Sequence, residues 1–237
     1  MAINTSIVIN GLFSLLFVIF SVIIGLKIAL KYRKYKQRTL ILVGIAWITM
    51  SKPWWGSSVS FLVYLFNGVG ISLFWYILIT FSFISIVIIV WLVALNDLTK
   101  IKNFKIIFGA FLTYAIIFEV LILYFLFTDI SVLGVQVDPV NIDLGLFLIA
   151  YLLIDLIIFI ISGFHFAFRS LRSEKPDIKL KGKFLVLAFL IYLIGAALET
   201  ILSFPPFRLI LIASAIMFYI GFMMPEAIKK KFLNIEQ

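Results

Sequence analysis

Five ionisable residues stand inside stretches that are otherwise apolar: Lys52, Glu119, Asp155, Glu199 and Arg208. A charged side chain in hydrocarbon costs about 2.5 kcal/mol or more unless an opposite charge or water meets it. Such residues therefore face a bundle interior or a wet cavity and pair with one another. Two positive and three negative groups nearly cancel, and together they suit a polar pocket for a small ligand. Lys52 opens the run Lys52-Pro53-Trp54-Trp55, where a helix breaker and two indoles flank the ammonium. Trp54 and Trp55 are suited to caging a cationic ligand by cation–π contact, although aromatic residues near an interface more often anchor a span there. A second set, Tyr151, Asp155, Ser162, His165 and Arg169, has spacings of 4, 7, 3 and 4 residues and falls on one face at a 3.6-residue period. It is a candidate polar path with Asp155 and His165 as proton stations. The competing reading is a buried helix face, hydrogen-bonded to Ser72, Tyr76 and Thr80, which recur at i, i+4 and i+8.

The elements that position these residues follow from composition. The chain has 237 residues, is 64% hydrophobic and only 13% charged, and its mean hydropathy is +1.22. Globular domains run at about 45–50% apolar and 25% charged, so a soluble domain is excluded. A spanning helix needs about 20 apolar residues, and such runs fall at 6–30, 39–65, 71–95, 106–127, 145–168, 184–204 and 209–227. The expected fold is a single all-α domain over 1–237, a seven-transmembrane helix bundle in the cell membrane. The first run lacks a basic leader and is followed by Lys31, Arg33, Lys34, Lys36 and Arg38, so it reads as a retained span, not a signal peptide. No soluble domain is expected at either end.

A net charge of +9 would suit nucleic acid, but the basic residues sit in short loops. One side receives the 31–38 cluster, Lys100, Lys102, Lys105, the 169–183 loop and Lys229, Lys230 and Lys231. The other receives Asp129, Asp138 and Asp143. The positive-inside rule puts the basic side in the cytoplasm, the N-terminus outside and the C-terminus inside. Those loops also suit anionic lipid head groups of the bilayer, and no nucleic-acid partner is expected. On the outer side, Asn67-Gly68-Val69-Gly70 reads as a turn, and the loop over 128–144 alternates enough to form a hairpin or lid.

A rise of 1.5 Å per residue puts Lys52, Glu119 and Glu199 about 20–24 Å above the cytoplasmic ends of their helices, and Asp155 about 15 Å below the outer end of its own. Arg208 opens the last helix at the outer edge. These depths suggest an outward-facing polar pocket, with Lys52–Glu199 as the expected first pairing. A structural network that fixes helix register is the alternative. Gly195-Ala196-Ala197 and Ala213-Ser214-Ala215 allow two helices to approach closely. Gly25-Leu-Lys-Ile-Ala-Leu-Lys resembles Gly163-Phe-His-Phe-Ala-Phe-Arg, as a three-plus-one-plus-three repeat would require and as apolar helices also do by chance.

With no cysteine and one histidine, disulfides and thiolate chemistry are excluded and neither a metal site nor a cofactor is expected. No metalloprotease, nucleophile-elbow or phosphate-loop motif appears, so the chain does not read as an enzyme. The last span holds no lysine for a retinal Schiff base. Asn96-Asp97-Leu98 and Met224-Pro225-Glu226 stand where G-protein-coupled receptors carry other motifs. At Ile178-Lys-Leu-Lys-Gly-Lys-Phe-Leu-Val-Leu-Ala-Phe and Phe218-Tyr-Ile-Gly-Phe-Met-Met-Pro-Glu-Ala-Ile-Lys-Lys the chain resembles uncharacterised archaeal seven-helix membrane proteins. More loosely it is similar to the seven-helix sensor modules of membrane histidine kinases. The resemblance implies an integral-membrane, sensor-like module; with the outer pocket, the reading is a receptor-like sensor that takes a small ligand from outside and relays to a cytosolic signalling partner. The alternative is an ion- or proton-coupled transporter or channel that uses the polar face of the fifth helix.

Overall fold

A computed structural model describes residues 4–202 and 205–233. Six segments are long and apolar enough to cross a membrane: Thr5–Tyr35, Leu73–Thr99, Phe104–Thr128, Leu146–Leu171, Pro176–Glu199 and Pro205–Met223. The chain is therefore an all-α, multi-pass membrane protein. It divides into two compact units, Met1–Leu156 and Ile157–Gln237.

The first unit starts with α1 (Thr5–Leu30), capped by the Asn4 side chain on the Ser6 amide, and a short α2 (Tyr32–Tyr35). The second apolar run is broken. It forms α3 (Arg38–Met50), a 3₁₀ turn over Lys52–Trp54, and α4 (Trp55–Asn67). Pro53 has no amide hydrogen to continue the α-helical ladder, and the chain tightens instead, with Trp54 N donating to Ser51 O at 3.0 Å. The turn at Asn67 forms as expected: Asn67 Oδ1 accepts from the amides of Val69 and Gly70, with Gly68 and Gly70 at positive φ.

The third run, expected to be continuous over 71–95, is also broken. It comprises α5 (Leu73–Phe81), four turn residues, and α6 (Ile86–Thr99). Ser82 and Ser85 flank that break, and serines compete with the backbone for its hydrogen bonds. Phe83 sits at φ 58°, a left-handed conformation that costs a bulky residue about 1–3 kcal/mol. Tertiary contacts therefore hold the break in place. After α7 (Phe104–Thr128) the loop over 128–144 forms the expected hairpin, β1 (Gly134–Asp138) paired antiparallel with β2 (Asn141–Leu144). The Asp138 carboxylate closes its turn by accepting from Val140 N and Asn141 Nδ2, both at 2.7 Å.

Packing in this unit follows small residues. Gly25 of α1 and Gly44 of α3 face one another so closely that a Cβ on Gly44 would sit 2.5 Å from the Gly25 carbonyl oxygen. One core gathers Ile77, Phe81, Ile84, Ile122, Leu126, Leu133, Leu148 and Tyr151. A second joins Ile7, Phe61 and the hairpin residue Val140, which is 0% exposed. At the basic end Arg38 bonds the Asp97 carboxylate through both Nε (2.7 Å) and Nη2 (2.5 Å), tying the start of α3 to the end of α6.

α8 (Leu146–Leu171) passes from the first unit into the second. Its later half packs on α9 (Pro176–Leu202) through Phe159 on Phe189, with Gly163 giving the Phe189 ring room. α9 begins earlier than the expected 184, because Pro176 starts a helix well and Asp177 suits its first turn. Residues 203 and 204 of the expected sixth span lie outside the described residues. α9 and α10 (Arg208–Met223) pack together, but the two small-residue triplets do not pair as expected: Gly195 faces Ile210 and Leu211, and Ser214 Oγ donates to Ala188 O at 2.8 Å. The last span ends at Met223, short of 227. Met224 turns left-handed at φ 44° before Pro225, and the basic tail forms a separate helix, α11 (Glu226–Leu233).

Candidate functional site

The break between α5 and α6 is where ionisable groups gather. Lys52 lies on the 3₁₀ turn of the second run, and its Nζ donates to Ser82 O at 2.5 Å. Glu119 projects from α7, and its Oε2 accepts from Phe83 N at 2.5 Å. That amide would have continued the helix by bonding Ile79 O; the carboxylate takes it instead. Each side chain thus satisfies one backbone group that the break exposes. The ammonium and carboxylate attract one another across it without forming a direct ion pair. Lys52 also stands over the Trp55 ring, 5.7 Å from its centroid, while Trp55 Nε1 donates to Ser51 Oγ at 3.0 Å. Trp54 packs edge-on against Phe17 at 4.7 Å. The two indoles expected to cage a ligand are engaged with this chain's own lysine and core.

The other side of the break carries hydroxyls. Ser85 Oγ is hydrogen-bonded to Tyr151 Oη of α8. Tyr151 is fully buried and lies flat on Phe118, with ring centroids 4.3 Å apart and planes 5° from parallel. Tyr114 Oη reaches Tyr151 O at 3.5 Å. One turn further along α8 lies Asp155, 9% exposed, with both carboxylate oxygens buried and no hydrogen-bond partner. The Tyr114 and Ser85 hydroxyls lie within reach of it while they also contact Tyr151. Glu119 Oε1 and Ser82 Oγ are likewise buried and unpartnered. Burying a carboxylate without a partner is among the costliest arrangements a fold can hold, so this concentration of unmet acceptors marks the site.

Outside it the hairpin is fastened down. Ser57 Oγ donates to Val140 O at 2.9 Å and is bonded to Tyr76 Oη, and Ser60 Oγ donates to Pro139 O. Gln136 Nε2 reaches Ile71 O at 3.1 Å. Tyr76 and Thr80, expected as partners of the α8 stripe, instead serve α4, with Thr80 Oγ1 accepting from Gly56 N at 3.1 Å.

The expected residues therefore divide into groups. Lys52, Glu119, Tyr151 and Asp155 meet around one break. Glu199 and Arg208 form an ion pair in the second unit, Arg208 Nε to Glu199 Oε1 at 2.5 Å, with side chains 14% and 8% exposed. The Lys52–Glu199 pairing was expected first, yet each residue has a partner inside its own unit. The stripe on α8 does not continue as one polar face. Tyr151 and Asp155 are buried, Ser162 bonds back to Ile158 O at 2.7 Å, and His165 and Arg169 are exposed beside Phe168 and Arg172, which line a shallow groove with them. A second groove lies between Pro176, Lys179 and Leu233 at the lysine-rich end of α9. Both Asp155 oxygens and Glu119 Oε1, by contrast, are closed off from solvent. Among the described residues no three His, Cys, Asp or Glu side chains gather as a metal site.

The sequence reading missed Ser82, Phe83, Ser85 and Tyr114. Paired serines three residues apart within an apolar run were the available signal. No family model, curated protein or solved structure matches the chain.

Proposed function

We propose that this chain is a cation-coupled transporter of the cell membrane, without catalytic activity, in which the α5–α6 break is the coupling site. The observation that supports this reading is the interrupted helix with Lys52, Glu119 and Asp155 converging on it. Interrupted helices at charged midplane sites are how secondary transporters expose backbone groups to ions. Irregular backbone at that depth is tolerated only where protein or a water-filled cavity covers it. The receptor-like reading needs an outer pocket and a partner to relay to. The buried carboxylates and the hairpin fastened by Ser57 and Ser60 support it less well.

The proposal includes seven crossings. The element α3–turn–α4 is the seventh, and its 30 residues over 38–67 exceed the about 20 that a bilayer requires. The N-terminus is outside, the basic loops face the cytosol and anionic lipid, and the likeness to archaeal seven-helix proteins extends to topology. Reconstituted vesicles test the function. Under an imposed sodium or proton gradient, ion flux above that of empty vesicles is expected. Tight vesicles under both gradients, together with a cytosolic protein that co-purifies, would replace the transporter with the sensor.

A further inference from the structure

We infer that Asp155, with the hydroxyls of Ser85, Tyr114 and Tyr151, binds one mobile monovalent cation, a proton or a sodium ion. The inference deepens the transporter reading by naming what is coupled and where, and it rests on that reading only for the purpose of the binding.

Three observations carry it. First, Asp155 is more than nine-tenths buried, and neither carboxylate oxygen has a hydrogen-bond partner. Second, among the described residues of its own unit no cation acts on it. The groups that do are the hydroxyls of Tyr114 on α7 and Ser85 at the break, with Tyr151 one turn away on α8. Lys52, the ammonium of this unit within the apolar depth, is bonded to Ser82 O and drawn to Glu119. Glu119 in turn has one oxygen on Phe83 N. A carboxylate in that position needs a positive charge from outside the fold. Third, the atoms around it are hard oxygen donors: one carboxylate and three hydroxyls, on three elements that meet at the break. Oxygen ligands suit hard cations, and a single carboxylate balances a single positive charge. The absence of a three-residue acidic or histidine cluster among the described residues argues for a monovalent ion over a divalent one.

The site is also built to respond to its occupant. Ser85 and Phe83 belong to the same four-residue break, and Phe83 is held at positive φ by Glu119. A cation drawn to Asp155 competes for the Ser85 hydroxyl that now bonds Tyr151. Filling the site therefore acts on the residues whose geometry keeps the third helix broken.

Binding is tested on the purified full chain in detergent, apart from any flux. The thermal midpoint is measured in sodium chloride and in choline chloride at matched ionic strength. In parallel, the infrared spectrum is searched for the carbonyl band of a neutral carboxylic acid. Sodium occupancy predicts a rise of roughly 5–10 °C at about 100 times the dissociation constant, absent in Asp155→Asn. Proton occupancy predicts no sodium effect and a carboxylic-acid band that Asp155→Asn removes. Asn is uncharged and the same size, so that variant should unfold no earlier than sodium-free wild type. Ser85→Ala serves if it does not fold, and should weaken the sodium response several-fold or shift the acid band. Neither response in wild type, or responses unchanged in both variants, overturns the inference. Binding without flux would sink the transporter reading alone; flux with neither binding response in wild type would sink this inference alone.

Discussion

Replacing Arg208 by methionine should cost this chain about 3–5 kcal/mol, the penalty for leaving one member of a buried ion pair without its partner. The geometry decides which regime applies. An exposed pair contributes about 0–1 kcal/mol, but here the two side chains are only 8% and 14% exposed and the Nε–Oε1 distance is 2.5 Å. A neutral hydrogen bond between membrane helices gives coupling near 0.6 kcal/mol and at most about 1.7, because the unfolded chain in the membrane finds other partners. A true ion pair should exceed that ceiling. Adding Glu199→Gln to Arg208→Met removes the orphaned charge, and the double variant should return to within about 1–2 kcal/mol of wild type, since apolar replacements of whole buried pairs are often neutral. Reversible unfolding in mixed micelles measures all four corners of the cycle. Additive losses, or a single-variant loss below about 1 kcal/mol, would show that water screens the pair, and the argument for a buried charge in the second unit would fail.

Four further outcomes follow from the same geometry. Gly44→Ala should destabilise by about 1–3 kcal/mol through overpacking against the Gly25 carbonyl, whereas Gly109→Ala, with nothing within 4 Å of the new Cβ, should stabilise by about 0.5–1 kcal/mol; unfolding midpoints of the pair give opposite signs. Phe83→Gly relieves the left-handed φ of 58° at a residue that is 57% exposed, so stability should hold or rise by about 1 kcal/mol. Lys52→Met leaves Ser82 O without its donor and should cost about 1–3 kcal/mol, in contrast to Lys100→Met at the exposed basic end, which should fall within about 0.5 kcal/mol of wild type. Ser57→Ala together with Ser60→Ala removes two of the three hydroxyl donors to the hairpin turn, leaving Tyr76 Oη on Val140 O, and amide exchange at Val140 should quicken relative to the α9–α10 seam.

Much of the architecture was legible because its causes are local. Apolar length marked the spans, Asn67 and its two glycines marked the turn, and the alternation at Leu133, Val135 and Val137 marked the hairpin. Pro53 announced the interruption of the second run, since a missing amide acts wherever it stands. The interruption at Ser82–Ser85 was not legible. No proline or glycine lies there, and the break is held by Lys52 and Glu119, thirty and thirty-six positions away in sequence. Such long-range contacts override local preference, and periodicity does not reveal them. The site was visible by half for the same reason: charges in hydrocarbon stand out singly, so Lys52, Glu119 and Asp155 were found. The groups around them are a carbonyl, an amide and the hydroxyls of Ser85, Tyr114 and Tyr151, none of which stands out in an apolar run. Glu199 found Arg208 because a short link between α9 and α10 brings positions nine apart together, and a closer partner wins over a distant one of equal charge.

The account depends most on the broken element over 38–67 crossing the bilayer, which puts Lys52 at the depth of Ser82 and Glu119 on their own spans. The absence of native cysteine makes each introduced thiol its own reporter. Lys36→Cys and Val69→Cys flank that element, and a membrane-impermeant maleimide applied to intact cells reads their sides. The expected result is labelling at 69 in intact cells and at 36 only after permeabilisation. Labelling of both positions from the same side would contradict it.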